Sequence, residues 1–238
     1  MVVVQRFATC EFFECSLVEF LAKCALQTNC APKCEQKCCF PAFYPSLFTK
    51  MRKPLPIVIV LAAGRSARFR AASGGQDKLQ ALLGQRSVRD HTIAAVQASG
   101  LPWHVVEAAH TAHITLPGMG NSIATGVRAC AQAAGWLILP ADLPLVQPAT
   151  LRAVAEALES HTIVQPVYQC QRGHPVGFSA ACGPALMALT GDQGARALLQ
   201  AHVPFALPVD DAGCIHDVDT PEALEAARRL LAQGIQAS

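Results

Sequence analysis

The sequence predicts an α/β fold on a doubly wound, mostly parallel sheet, and two observations carry that expectation. Short apolar runs rich in β-branched residues recur at 57–61, 103–107, 136–139 and 163–167. Helical stretches of about 10–15 residues separate them, the pattern of a parallel sheet with helices on both faces. The first, Ile57 to Leu61, is continuous rather than alternating, as a strand covered on both sides requires.

The elements follow in order. Ile57 to Leu61 is the first buried strand. Ser87 with Asp90 three residues on marks a helix start, and Gly100 with Pro102 beyond marks its end at Ser99. Trp103 to Glu107 is the second strand. Asn121 is expected to cap a helix running to about Ala134, stopped by Gly135. Trp136 to Leu139 is a third strand, leading into "PADLPLV". Pro148 opens a helix to about Ser160, Ile163 to Val167 is a strand, and "HPVGF" a short one. Short helices are expected at Pro184–Leu189 and Gly194–Ala201, and a last strand at Val203–Val209. Thr220 caps the final helix, Pro221 takes its first position, and Gly234 ends it.

Composition divides the chain near Met51. Seven of the 11 cysteines and seven of the 10 phenylalanines precede it, and no glycine occurs before Gly64. Cys34, Cys38 and Cys39 form no C-x-x-C pair and no histidine accompanies them, so a metal module is disfavoured. Glu11, Glu14 and Glu19 interrupt any signal-like apolar core. Residues 1–50 are therefore expected to lie outside the working fold, and Met51-Arg52-Lys53 reads as a natural start, which makes 1–50 a mis-assigned upstream extension. Residues 51–238 form the expected domain. The net charge of +2 excludes a polyanion groove, so no nucleic acid is expected. No apolar run reaches the roughly 18 residues of a membrane span, and the expected location is the cytoplasm, with no membrane partner.

Three motifs fall at strand ends, where such sheets bind ligands. In "LAAGRSARFRAASGGQDKL", the small residues let backbone approach phosphate oxygens, and Arg65, Arg68 and Lys78 can neutralise a triphosphate. Neither the G-x-x-x-x-G-K-[ST] loop nor the dinucleotide G-x-G-x-x-G turn is present there. In "LPADLPLV", Asp142 leaves a buried strand between prolines and suits Mg²⁺, which takes one or two carboxylates beside substrate phosphates. In "HDVDTPEAL", Asp217 and Asp219 would point to opposite faces if extended, so one of them is expected at the metal. Asp219 is favoured over Asp217.

The ordered set "VLAAGRSARF", "DKL", "GMGNSIATGV", "LPADLPLV", "RGHPVGF", "GDQGARALL" and "DVDTPEAL", spanning about Pro56 to Leu230, resembles the MobA-like nucleotidyltransferases. Reading L-A-A-G rather than L-x-G-G, it is most similar to the MocA-like branch that acts on the molybdenum cofactor as a cytidylyltransferase. The resemblance implies a nucleotide-diphospho-sugar transferase type of fold. It also implies NMP transfer from an Mg²⁺-bound NTP, CTP favoured, to a molybdopterin-type phosphate with release of pyrophosphate. By that resemblance Leu61, Ala62, Ala63, Gly64, Arg65 and Ser66 would meet the nucleotide, and Gly118, Gly120 and Ser122 would close over base and ribose. Arg68 and Lys78 would hold the phosphates, and Asp142 and Asp219 the metal. Arg172, Gly173, His174 and Pro175 match the acceptor motif, with His174 positioning the acceptor rather than moving a proton. A molybdoenzyme or its maturation factor is the implied partner.

Two departures stand out. Arg70 occupies the position of the family's glycine after R-F, and "AASGGQ" lengthens the loop before Asp77-Lys78, where Gly74 and Gly75 can restore flexibility. The stretch between Glu107 and Gly118 is too short for the family's usual helix and strand, so either one is lost or only "HITL" is kept as an edge. Rival readings are a transferase for another acceptor, such as a sugar phosphate or phospholactate, and a nucleotide-binding cofactor chaperone without turnover.

Overall fold

Strand β1 (Ile57–Ala62) lies inside a seven-stranded sheet, flanked by the parallel strands at Trp103–Glu107 and Gly135–Pro140. The computed structural model describes residues 54–64, 66–115 and 118–233. The expectations for residues 1–50, Arg65 and Gly234 fall outside them.

After β1 come helix α1 (Ala67–Ala72), the hairpin β2 (Leu82–Leu83) and β3 (Arg86–Ser87), helix α2 (Val88–Ser99), and β4 (Trp103–Glu107). Helix α3 (Met119–Ala129) leads to β5 (Gly135–Pro140), and α4 (Pro148–Ala157) to β6 (Ile163–Tyr168). There follow β7 (Gln171–Arg172), β8 (Val176–Ser179), α5 (Gly183–Met187), α6 (Arg196–Ala201), β9 (Phe205–Pro208) and α7 (Pro221–Ala232). The sheet runs β4-β1-β5-β8-β6, with β9 parallel to β6 and β7 antiparallel to it. Strand β8 is antiparallel to both β5 and β6, so those two share a direction with β1, β4 and β9. Five of the seven strands of this sheet thus point one way, as the buried runs predict.

Strand alternation separates two cores. Val58, Val60, Leu137 and Leu139 face one side, with Val96 of α2, Leu151 of α4 and Leu224 of α7. Ile59, Trp136 and Ile138 face the other, with Ile123 and Val127 of α3 and Leu186 of α5. Each fully buried Leu or Ile contributes about 2 kcal/mol by leaving water. The chain passes from β1 through α2 to β4 on one flank, then returns through α3 to β5 on the other. The switch point therefore lies between β1 and β5, where open α/β sheets hold ligands beyond the strands' carboxyl ends.

Local signals place most elements. Ser87 caps α2 by accepting from the Asp90 N–H (3.2 Å), and Thr220 caps α7 by accepting from Ala223 N–H (3.2 Å). Other elements correct the sequence reading. Helix α3 starts at Met119 behind a Gly118 cap, because Asn121 sits inside the first turn and its Oδ1 reaches back to Gly118 N–H (3.1 Å). It ends at Ala129, well before Ala134, and turns bridge to β5. The stretch at 112–115 is turn and bend rather than an edge strand, so β4 is the rim of the sheet among the described residues. The loop after Ser66 folds into α1, absorbing part of the lengthened "FRAASGGQ", and Gly74 and Gly75 reverse the chain at φ of 69° and 99°. Among the described residues no helix is long and apolar enough to cross a membrane.

Candidate active site

A cavity of about 400 Å³ opens at the β1–β5 switch point. That volume falls in the range of small-molecule sites. Leu61, Ala63 and Gly64 enter it from the end of β1, and Pro140, Ala141 and Asp142 from the end of β5. Lys78 and Leu79 line one flank; Gly118, Met119, Ser122 and Asp192 line the rest. A smaller cavity of about 200 Å³ shares Gly64 and Lys78 and is bounded by Ser66, Arg68 and Asp219.

Backbone contacts fix the turn that carries Asp142. Ala141 N–H donates to the Leu61 carbonyl (3.1 Å), and Val218 N–H donates to the Asp142 carbonyl (2.9 Å). The Thr92 hydroxyl of α2 donates to the Ala141 carbonyl (3.0 Å). Val218 is fully buried, which anchors the 216–219 segment where Asp219 shares Lys78 with Asp142.

Lys78 joins the carboxylates. Its Nζ lies 2.5 Å from Asp142 Oδ2 and 2.6 Å from Asp219 Oδ1, with only 14% of its side chain exposed. Burial opposes the ammonium charge, but Asp142 and Asp219 overcome it and raise the Lys78 pKa above the ordinary value. Asp219 also pairs with the largely exposed Arg68. Burial pushes the Asp219 carboxyl up; Lys78 and Arg68 outweigh it and hold the group below its ordinary value. Asp142 Oδ1 is buried without a partner, an oxygen still open to a further donor or cation.

Of the two aspartates, Asp219 is the one that pairs with Lys78. Partial burial, then the charges of Asp219 and Asp142, raises the Asp217 pKa above its ordinary value. His174 lies nearby. Burial depresses its pKa while Asp142 and Asp217 pull it up, and its Nδ1 has neither partner nor solvent contact.

The loop before Lys78 has its own clasp. Asp77 accepts from the Ser66 hydroxyl (2.9 Å), from Leu79 N–H (3.0 Å) and from Arg70 (3.1 Å). These contacts hold Ser66 in the left-handed conformation (φ 51°), which costs a non-glycine residue about 1–2 kcal/mol. Arg70, in the family's glycine position, thus closes the loop through Asp77.

Of the residues singled out from sequence, Leu61, Ala63, Gly64, Lys78, Gly118, Ser122 and Asp142 line the larger cavity. Ser66, Arg68 and Asp219 line the smaller one. Ala62 ends β1 without lining either, and Gly120 instead donates its N–H to the Gly191 carbonyl (2.8 Å). The acceptor motif is not in the cavity wall: Gly173 and Pro175 are buried, with Gly173 against Cys214, and Arg172 is exposed on β7. Met119 and Asp192 line the cavity without having been singled out. Asp192 carries one local signal, an acidic residue between Gly191 and Gly194, but nothing in the sequence links it to Gly118.

A doubly wound sheet with a cation-bridged pair of carboxylates at its switch point defines a nucleotide-handling transferase class. Residues 58–205 match the MobA-like NTP transferase domain, and the chain belongs to that family. It is a nucleotidyltransferase of MobA-like type, with a nucleoside triphosphate and an acceptor as substrates. It is 31% identical over 210 residues to the purine catabolism protein PucB of Bacillus subtilis, covering 76% of this chain and all of that protein. Among solved structures, Rv0371c of Mycobacterium tuberculosis superposes with a TM-score of 0.61 at 25% identity, covering 75% of this chain and 100% of that one. Rv0371c has also been solved in complex with manganese. A Methanothermobacter nucleotidyl transferase (Mth528) shares the fold with a TM-score of 0.60 at 22% identity, covering 76% of this chain and 99% of that one.

Proposed function

We propose that the protein transfers the NMP of a nucleoside triphosphate, CTP in preference, to the phosphate of a molybdopterin-type acceptor and releases pyrophosphate. The observation that carries this reading is the Asp142–Lys78–Asp219 bridge between the two cavities at the switch point. The motif "RGHPV" supports the acceptor, with Arg172 its exposed member.

Asp142 and Asp219 fit a hard divalent cation, Mg²⁺ by expectation. They are oxygen donors converging on one point, and the unpartnered Asp142 Oδ1 awaits a ligand. Among the described residues no cluster of three or more His, Cys, Asp or Glu side chains forms a metal cage. That suits a cation which completes its shell with phosphate oxygens and water. When bound, such a cation neutralises charge on the phosphates.

The chain's own residues supply alignment and charge. Small residues at Ala63 and Gly64 let the phosphates lie against backbone. An oxygen of the acceptor phosphate attacks the α-phosphorus, a new P–O bond forms, and the bond to the β-phosphate oxygen breaks. Lys78 and Arg68, on the smaller cavity, meet the charge that develops on the departing pyrophosphate. No side-chain nucleophile is needed, because positioning and electrostatics account for phosphoryl transfer. His174, in the acceptor motif, positions the acceptor rather than moving a proton.

The test is pyrophosphate release with CTP, GTP, ATP and UTP, each with molybdopterin and with a sugar phosphate. CTP with molybdopterin is expected to turn over fastest. Asp142→Ala should lower kcat by about 10²–10³. Undiminished metal-dependent turnover in that variant would refute the role given to Asp142.

A further inference from the structure

Asp192 is a carboxylate in a cavity whose proposed occupant is itself an anion, and it has no part in the phosphate chemistry. It is exposed to the cavity and makes no hydrogen bond or ion pair among the described residues. Its loop is nevertheless fixed. Gly191 N–H donates to Asn121 Oδ1 (2.9 Å), and the Gly191 carbonyl accepts from Gly120 N–H (2.8 Å). Asp192 Oδ1 lies directly over Gly118, where an added Cβ would stand 2.4 Å away. The absence of a side chain at 118 is what lets the carboxylate reach the cavity.

The two sides of the sheet supply different walls. Leu79, next to Lys78, belongs to the core around Val58 and Val60; Ile123, next to Ser122, belongs to the core around Ile59. Lys78 and Asp192 therefore approach the cavity from opposite faces. Phosphates are drawn to the Lys78 wall. At the Asp192 wall they would meet a like charge and be repelled. What remains for that wall is the uncharged part of the donor, and a carboxylate can only accept hydrogen bonds.

Resting on the nucleotidyltransfer reading above, we propose that Asp192 selects the nucleoside of the donor by accepting hydrogen bonds from it. The donors are the ribose hydroxyls or the amino group of the base. The carboxylate's two free oxygens match a vicinal diol, and either oxygen can accept from the exocyclic amino group of cytosine.

Calorimetric titration of the full chain in Mn²⁺ tests this with CTP, 2′-deoxy-CTP and UTP, on wild type, Asp192→Asn and Asp192→Ala. The expected result is that CTP binds at least about tenfold more weakly to Asp192→Ala, as befits loss of a charged hydrogen bond. Melting temperature should stay unchanged. If the preference for CTP over its 2′-deoxy analogue disappears in the variants, the ribose is the partner; if the preference over UTP disappears, the base amino group is. Equal affinities and unchanged preferences in both variants overturn the proposal while leaving the nucleotidyltransfer reading intact. A wild type that binds none of the three nucleotides overturns both.

Discussion

Lys78 is held by both carboxylates that a cation would need. Its ammonium group lies within hydrogen-bonding distance of Asp142 and Asp219, and their charges keep it protonated against the cost of burial. The ammonium thus stands where a divalent ion would meet the same oxygens. An incoming triphosphate resolves the competition, because its phosphates offer the lysine another anionic partner. Lys78→Met removes the placeholder and leaves Asp142 without its partner while Asp219 keeps Arg68; breaking a buried pair in this way typically costs about 3–5 kcal/mol. The expected outcome is a less stable protein that binds Mn²⁺ without nucleotide at least about tenfold more tightly than wild type, or about 1.4 kcal/mol. Electron paramagnetic resonance titration of free Mn²⁺ measures this directly. Equal nucleotide-free affinity in wild type and variant would show that the lysine does not compete with the metal.

At the scale of elements, the first turn of α3 is held by a segment about 70 residues away in sequence. Asn121 accepts from both Gly118 N–H and Gly191 N–H, and a Cβ at Gly120 would lie 2.6 Å from the Thr190 carbonyl. Backbone meets backbone here, so neither side can yield as a flexible side chain would. Gly120→Ala should therefore cost about 1–3 kcal/mol, the usual penalty of overpacking. It should also raise KM for the nucleoside triphosphate more than it lowers kcat, since the 190–192 loop moves while Lys78 and Asp142 stay. Urea unfolding and steady-state kinetics check the two halves; an unchanged unfolding midpoint would mean that the loop is not packed against the helix in solution. The same contact explains what the sequence could and could not reveal. Ser87 and Thr220 were readable as caps because a cap and its N–H lie three residues apart. Strands β1 and β5 were readable because burial on both faces leaves a continuous apolar run. Asn121 was misread because one of its two partners lies far along the chain, and Asp192 went unassigned for the same reason. Lys78, Asp142 and Asp219 could be grouped beforehand because a parallel sheet collects strand ends on one edge, although Lys78 and Asp219 are 141 residues apart.

Across the whole molecule, a sheet with two cores organises both the binding edge and the boundary of the fold. Arg52–Ser238 forms one compact unit, and it contains all seven strands of the main sheet and the seven α-helices found among the described residues. The family match at 58–205 lies within it. Beyond that match, α7 places Leu224 and Ala227 in the core shared with β1 and β5, and the preceding segment brings Asp219 to Lys78. The working unit therefore needs the C-terminal helix as well as the matched stretch, and residues 51–238 are the proposed domain. A polypeptide beginning at Met51 should unfold in a single cooperative transition within about 2 °C of the full chain. For a domain of this size, 1 kcal/mol corresponds to roughly 2–4 °C, so such agreement limits any stabilisation by residues 1–50 to under about 1 kcal/mol. Its pyrophosphate release should stay within about twofold of the full chain, because Lys78, Asp142 and Asp219 and the elements that hold them are all retained. Scanning calorimetry and the pyrophosphate assay, run on both polypeptides at one concentration, decide the matter. A loss of more than about 4 °C, or of most of the activity, would make the first fifty residues part of the folded enzyme.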